Sequence, residues 1–364
     1  MNDPSQILAD AVVRPDVLAM AAYPVQDASG LLKMDAMENP HRLSPELQRQ
    51  LGVRLGAVAL NRYPSHGLRE LADALAQHAQ VPAGCSIVLG NGSDELIAML
   101  SIACDRPDAC VLAPMPGFVM YGVSAKLQGL RFVGVPLQQD FELDEAAMLT
   151  AVAQHRPAIV YLAYPNNPTA NLWDADAMER IIAAAPGLVV IDEAYQPFAG
   201  RSFMERITRY SNVLLMRTMS KFGLAGVRIG YLVGPHALIG QIDKVRPPYN
   251  ISVLNAQCAL FALEHADVFA QQARDIVTQR KHLYESLQAM AGVQAYPSDA
   301  NMLLVRILSG HAQAADRVHQ AMKTRGVLVK NMSATDPLLR NCLRLTVGTT
   351  DENHAMLAAL KASL

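Results

Sequence analysis

Between residues 66 and 235 the chain alternates short apolar runs with segments of helical periodicity. Residues 159–163, 188–191 and 213–216 are apolar throughout, and 86–89, 110–113 and 132–135 are nearly so. Strands without polar alternation, each followed by a helix, predict a parallel sheet buried on both faces. Leu68, Leu71, Ala72 and Leu75 fall on one helix face, and Asp144 and Asp174 stand where they cap helices running to 154 and 185. One connection breaks the alternation. About ten residues lie between the strand ending near 217 and the next at 229–233, too few for a crossover helix, so an antiparallel strand is expected there.

After Pro247 and Pro248 the texture changes. Residues 255–290 predict one long helix or two joined ones. Strands at 302–307, 327–330 and 342–347, with helices at 312–324 and from 351, predict a smaller α+β unit. A chain of 364 residues suits about two domains.

Lys and Arg number 31 against 33 Asp and Glu, a net charge of −2, which gives no electrostatic drive toward nucleic acid or an anionic membrane. The five cysteines include no CxxC pair, so neither a disulfide scaffold nor a zinc site is expected, and reduced thiols suit the cytoplasm. The first 14 residues carry Asp3 and Asp10 and no long apolar stretch, unlike a signal peptide. No apolar run approaches the ~20 residues of a membrane span.

Four segments carry candidate chemistry. Gly90-Asn91-Gly92-Ser93-Asp94-Glu95 places a glycine turn between strand and helix, with Ser93 as the expected N-cap. Such a turn offers backbone N–H groups to a phosphate, although an ordinary βα turn has the same pattern. Glu95 occupies the position where a dinucleotide fingerprint wants a third glycine. Tyr164-Pro165-Asn166-Asn167-Pro168-Thr169 follows an apolar strand at the sheet edge where ligands of α/β folds collect. Asp192 ends another apolar strand. A buried carboxylate there needs a cationic or donor partner, which a structural ion pair or a pyridinium nitrogen could supply. Lys221, in Thr218-Met219-Ser220-Lys221, sits in a small-residue loop where desolvation would lower its pKa toward nucleophilic use. Ser220 and Arg228 stand ready for a phosphate nearby.

In this order, Asn167-Pro168-Thr169, Asp192-Glu193-Ala194-Tyr195 and Ser220-Lys221 through Gly226-Val227-Arg228-Ile229-Gly230 resemble the fold-type-I aminotransferases that use pyridoxal 5'-phosphate. With Met37-Glu38-Asn39-Pro40, Arg62-Tyr63-Pro64, the Gly90–Glu95 turn and Cys342-Leu343-Arg344-Leu345-Thr346, the chain resembles the histidinol-phosphate aminotransferase family over nearly its whole length.

The resemblance implies an α/β fold with a mostly parallel seven-stranded sheet covered by helices on both faces. It implies a large cofactor-binding domain at 36–250 and a smaller α+β domain of 1–35 with 251–364. It implies that Lys221 bonds the cofactor as a Schiff base and moves the reaction's proton, while Asp192 faces the protonated ring nitrogen. Tyr195 and Asn167 would hydrogen-bond the ring's phenolic oxygen, and Phe118 would stack on the ring. Ser93, Asp94, Ser220 and Arg228 would surround the cofactor phosphate, joined by Tyr63 from the other subunit of a homodimer with shared sites. Arg344 would hold the substrate's anionic end and Tyr23 would cover the substrate.

One departure concerns Lys330, which stands where relatives often carry a second arginine. Lysine keeps the charge and loses the planar fork. Glu38 and Asn39 lie near the site in the family without a derivable role. The implied reaction moves an amino group between L-histidinol phosphate and 2-oxoglutarate, giving imidazole acetol phosphate and glutamate. An aromatic aminotransferase and a decarboxylase of a phosphorylated amino acid are alternatives on the same fold.

Overall fold

The computed structural model describes residues 3–22, 26–64 and 67–364, which divide into two compact units at Gly30. The short N-terminal unit holds a helix, Pro4–Val12, started by Asp3, whose carboxylate accepts from Ser5 N at 2.9 Å, and a single turn at Pro15–Leu18.

The larger unit, Leu31–Leu364, contains the strands β1 (Leu32–Lys33), β2 (Cys85–Gly90), β3 (Cys110–Met115), β4 (Arg131–Pro136), β5 (Ile159–Ala163), β6 (Leu188–Asp192), β7 (Val213–Thr218), β8 (Gly230–Pro235), β9 (Val293–Ala295), β10 (Met302–Ile307), β11 (Val327–Leu328), β12 (Lys330–Asn331) and β13 (Cys342–Thr346). Seven of them form a sheet in the order β2-β8-β7-β6-β5-β3-β4. From β7 to β4 every pairing is parallel. Strand β8 is antiparallel to both β7 and β2, as its short connection predicts.

The unbroken apolar runs have the expected physical cause. In β5, Val160 and Leu162 enter one core with Leu71 and Leu75 of the helix Gly67–His78. Ile159 and Tyr161 enter a second core, with Leu96 and Leu100 of the helix Ser93–Ala103. Both faces are dry, and each fully buried leucine or isoleucine contributes about 1.5–3 kcal/mol, so a polar residue on either face would be costly. Asp144 and Asp174 cap as expected, accepting from Ala147 N at 2.9 Å and Ala177 N at 2.8 Å.

A second sheet, β12-β13-β10-β9, is antiparallel. Its core packs against the helices Ala266–Gln288, Ala314–Thr324 and Thr350–Lys361. The predicted helical stretch at 255–290 is two joined helices, Val253–Glu264 and Ala266–Gln288.

Two expectations are corrected. The strand at 327–330 is split: β11 pairs in parallel with β1, while β12 joins β13. Ser93 is not an N-cap. Gly92, at φ +82°, is the cap, and Ser93 opens the helix. Among the described residues no helix is long and apolar enough to cross a membrane.

Candidate active site

Because β2, β3, β5, β6 and β7 run in one direction and β8 in the opposite one, the segments after the first five and the segment before β8 meet at one sheet edge. There they enclose a cavity of about 350 Å³. Ser93, Asp94, Phe118, Asn167, Asp192, Tyr195, Ser220, Lys221 and Arg228 line it. Nine residues dispersed over 136 positions of sequence are therefore assembled by topology.

At its floor, Asp192 ends β6 and is buried. Its Oδ2 accepts from the Tyr121 hydroxyl at 2.6 Å and its Oδ1 from Ala194 N at 3.0 Å. Burial pushes its pKa up to about 6 against the downward pull of those two donors. No cationic side chain of the described residues forms an ion pair with it. A buried carboxylate so placed suits a ligand that brings its own positive charge.

Lys221 follows β7 on an irregular turn in which Gly223 takes φ +137°, where a Cβ would come within 2.8 Å of the Phe269 ring. Its Nζ donates to Ala36 O at 3.0 Å and lies 5.7 Å from the Tyr195 ring centre. Burial, with the Arg344 charge nearby, lowers its pKa to about 7. An amine with that acidity is substantially unprotonated near neutrality, as a nucleophile or proton acceptor must be.

The anion end is built from the glycine turn. Glu95 closes it, accepting from Asn91 N and Asn250 Nδ2, each at 2.6 Å. Gly92 leaves room for Arg228. A Cβ on Gly92 would stand 2.6 Å from Arg228 Nη2. Arg228 contacts Asp94 Oδ2 at 3.1 Å and the Ser220 hydroxyl at 3.4 Å, and Ser220 is fixed through Thr218, whose Oγ1 accepts from Ser220 N at 3.1 Å. A helix N-terminus, a guanidinium and two hydroxyl-bearing residues, Ser93 and Ser220, make a donor set suited to a phosphate.

Arg344, on β13, does not line the cavity but adjoins it. Its Nη1 donates to Asn167 Oδ1 at 2.7 Å and its Nη2 to Asp35 O at 2.9 Å. With Oδ1 engaged, Asn167 has its Nδ2 hydrogens to offer a ligand. The Asn167 loop is tied to the Phe118 loop, since Asn166 Nδ2 donates to Pro116 O at 3.0 Å. Lys330 lies directly opposite Arg344 across the β12–β13 ladder, so both side chains leave the same face of the sheet. Lys330 is outside the cavity lining.

Tyr63 is also outside it, 75% exposed and stacked on Tyr249 with ring centres 4.5 Å apart. Tyr23 lies outside the described residues. Tyr121 was missed by sequence reasoning. It stands three positions after Phe118 at the start of the helix Val119–Gln128, where the first turn brings both rings toward the cavity.

These residues fit pyridoxal phosphate. A buried carboxylate without a cation faces the cavity, a lysine of lowered pKa lies in the same cavity, and the Gly92 cradle opens to Arg228. Residues 36–360 match the family described as aminotransferase class I and II. The histidinol-phosphate aminotransferase of Polaromonas naphthalenivorans is 62% identical over 356 residues, covering 97% of this chain and 96% of its own. That of Methylibium petroleiphilum is 62% identical over 355 residues, 97% of this chain and 94% of its own. The crystal structure of histidinol-phosphate aminotransferase from Sinorhizobium meliloti in complex with pyridoxal-5'-phosphate superposes with a TM-score of 0.85 at 25% identity, covering 97% of each chain. The chain belongs to the class I and II aminotransferases and, within them, to the histidinol-phosphate aminotransferase family.

Proposed function

We propose that this chain is a pyridoxal-phosphate-dependent transaminase moving the amino group of L-histidinol phosphate to 2-oxoglutarate, with imidazole acetol phosphate and L-glutamate as products, in histidine biosynthesis. The observation that carries the reading is the shared cavity of Lys221, at a pKa of about 7, and Asp192, buried without a cation. The substrate follows from the relatives, named histidinol-phosphate aminotransferases, at 62% identity over nearly the full chain.

When bound, pyridoxal phosphate supplies a carbonyl that takes up an amino group and a ring that draws electrons from the adjoining carbon. Lys221 Nζ would hold the cofactor covalently between turnovers. As a free amine it would accept the proton from the amino-bearing carbon of the substrate and return it to the carbon on the other side of the nitrogen, a positioned base worth about 10²–10⁴ in rate. Asp192 keeps a proton on the ring nitrogen, its ionised form being favoured by the charge it faces. Tyr195 and the Asn167 amide would hold the phenolic oxygen, and the Phe118 ring would bound the cofactor from the cavity wall. Arg228, Ser220, Ser93 and the first backbone N–H groups of the helix Ser93–Ala103, at Asp94, hold the phosphate. Arg344 takes the substrate phosphate in one half-reaction and the keto acid carboxylate in the other, with Lys330 adding charge and Tyr23 covering the substrate.

The exposed Tyr63 supports a homodimer in which each Tyr63 completes the partner subunit's phosphate site. Residues 36–250 form the cofactor-binding domain, 1–35 with 251–364 the substrate-closing one, and the cytoplasm is the compartment. Borohydride reduction of the loaded enzyme, followed by peptide mapping, tests the assignment: the label falls on Lys221. A label on another lysine, or turnover without keto acid and with release of CO₂, overturns it.

A further inference from the structure

The four residues Met34 to Met37 bring together groups from three distant parts of the chain, Lys221, Asn301 and the strand β13. Each of their carbonyls accepts a hydrogen bond from a different donor. Met34 O accepts from Thr346 N at 3.0 Å. Asp35 O accepts from Arg344 Nη2 at 2.9 Å, and Ala36 O from Lys221 Nζ at 3.0 Å. Met37 O accepts from Asn301 Nδ2 at 2.9 Å. At the same point Met37 N donates to Thr346 Oγ1 at 3.0 Å, and Met34 N donates to Leu328 O at 2.8 Å. Two successive carbonyls thus hold the Lys221 amine and the Arg344 guanidinium.

Met37 has φ +52°. That left-handed conformation is routine for glycine and asparagine and costs roughly 1–2 kcal/mol for a residue such as methionine. Such a conformation persists only where the surroundings impose it. Here they do. Met37 is buried, and Thr346 and Asn301 grip its N–H and its carbonyl.

We propose that the segment Met34–Met37 is a rigid tie that positions the Lys221 amine and the Arg344 guanidinium relative to each other, with left-handed Met37 as its locked corner and Thr346 and Asn301 as its clamps. The tie couples the small antiparallel sheet to the loop after β7 through backbone oxygens, so it is invisible in side-chain motifs. Ala36 O, as an acceptor, favours the protonated amine. Around Lys221 the charged and titratable groups are Arg344 from the small sheet, Lys33 and Glu38 flanking the segment on either side, Arg228 before β8 and the Tyr195 phenol after β6. With those unchanged, loss of the carbonyl shifts the amine to titrate at lower pH.

The inference rests on the proposed roles of Lys221 and Arg344 for its significance, but its test reads the amine directly. Competitive acetylation of the cofactor-free protein across about pH 5–9, quantified at the Lys221 peptide by mass spectrometry, gives the titration midpoint. Thr346→Val removes the acceptor for Met37 N, and Thr346→Ser keeps it. Met37→Val cannot hold a left-handed φ, and Met37→Asn can. The expected result is a midpoint lowered by half a unit or more in Thr346→Val and Met37→Val. Thr346→Ser and Met37→Asn then titrate as the unaltered chain does.

A merely structural role lowers the melting temperature in the two valine variants and leaves the midpoint in place, which overturns the tie. If Met37→Val does not fold, the threonine pair decides alone. A borohydride label elsewhere than Lys221 would remove the proposed function while leaving this titration interpretable.

Discussion

The Tyr121 hydroxyl donates to Asp192 Oδ2 at 2.6 Å, and the Tyr121 ring stacks on Tyr161 with centres 4.2 Å apart and planes 4° from parallel. Tyr121 is therefore held by a flat aromatic neighbour while its single donor meets the carboxylate proposed to face the ring nitrogen. That donor pulls Asp192 down against the burial that pushes it up.

Tyr121→Phe removes the donor and leaves the packing. The Asp192 carboxyl then rises further above about 6. The expected outcome is that cofactor binding, followed by absorbance titration, weakens with acidification at a pH higher by up to about one unit than in the unaltered chain. At alkaline pH the two proteins bind alike. An acid limb that stays in place shows that the hydroxyl only fills space.

Asp192→Asn keeps the shape and abolishes the charge. A neutral amide does not hold a proton on the ring nitrogen, so turnover drops by about two orders of magnitude or more, as for loss of a group acting at the reacting centre. The cofactor stays bound through Lys221, Arg228 and the helix N-terminus. Near-normal steady-state turnover would mark the carboxylate as structural.

Lys221 carries a stability cost of the opposite kind. Its folded pKa of about 7 lies below the 10.5 of a free lysine. Above pH 10.5 both states are neutral and the cost vanishes. As pH falls toward 7 the unfolded chain binds a proton that the folded chain refuses, and below 7 the full cost is present. Lys221→Met should therefore raise the unfolding free energy of the cofactor-free protein by on the order of 2–4 kcal/mol at neutral pH, with the gain fading toward pH 10. Denaturant titrations at neutral and alkaline pH measure it. An unchanged or lower stability at both contradicts the assigned burial of the amine.

Much of this arrangement was legible beforehand, for identifiable reasons. Strands β5, β6 and β7 were readable because both faces are dry, and dryness on both faces leaves no polar residue to blur the run. The direction of β8 followed from the length of its connection. The positions of Asp192 and Lys221 followed from strand ends, which the sequence marks where apolar residues stop. What was illegible depends on tertiary context. The two-residue strands β1 and β11 exist only because they find each other. Ser93 lost its cap role because Gly92, at φ +82°, starts the helix one residue earlier than a serine preference suggests. The Met37 conformation has no signature at all, since methionine is not a turn residue and the clamps lie more than 260 positions away.

The exposed stack of Tyr63 on Tyr249 motivates a prediction about assembly. If each Tyr63 serves the partner subunit's phosphate site, an inactive Lys221→Ala chain and an impaired Tyr63→Phe chain complement each other. In a randomly reassembled equimolar mixture half the dimers are mixed, and each holds one intact site, so about a quarter of full activity returns. A bulkier or smaller replacement serves where Tyr63→Phe retains too much activity. No recovery after verified subunit exchange, or a fully active monomer in sedimentation, contradicts shared sites.

Substrate choice is tested at the register pair Lys330 and Arg344. The ladder puts both cations on one face, while only Arg344 reaches a cavity-lining residue, through its 2.7 Å bond to Asn167. A phosphate near neutral pH carries more charge than a carboxylate and gains more from two cations than from one. Lys330→Ala should therefore raise the KM for histidinol phosphate several-fold and leave that for 2-oxoglutarate nearly unchanged, whereas Lys330→Arg binds the phosphate as well or better through its planar fork. Arg344→Ala damages both half-reactions, and it also frees Asn167 Oδ1 and Asp35 O from their donor. Steady-state kinetics with each substrate varied separates these effects. If Lys330→Ala leaves the KM for histidinol phosphate where it was, the lysine is a solvated strand residue with no part in recognition. If the unaltered enzyme uses histidinol as well as its phosphate, the substrate assignment falls while the aminotransferase chemistry of Lys221 and Asp192 stands.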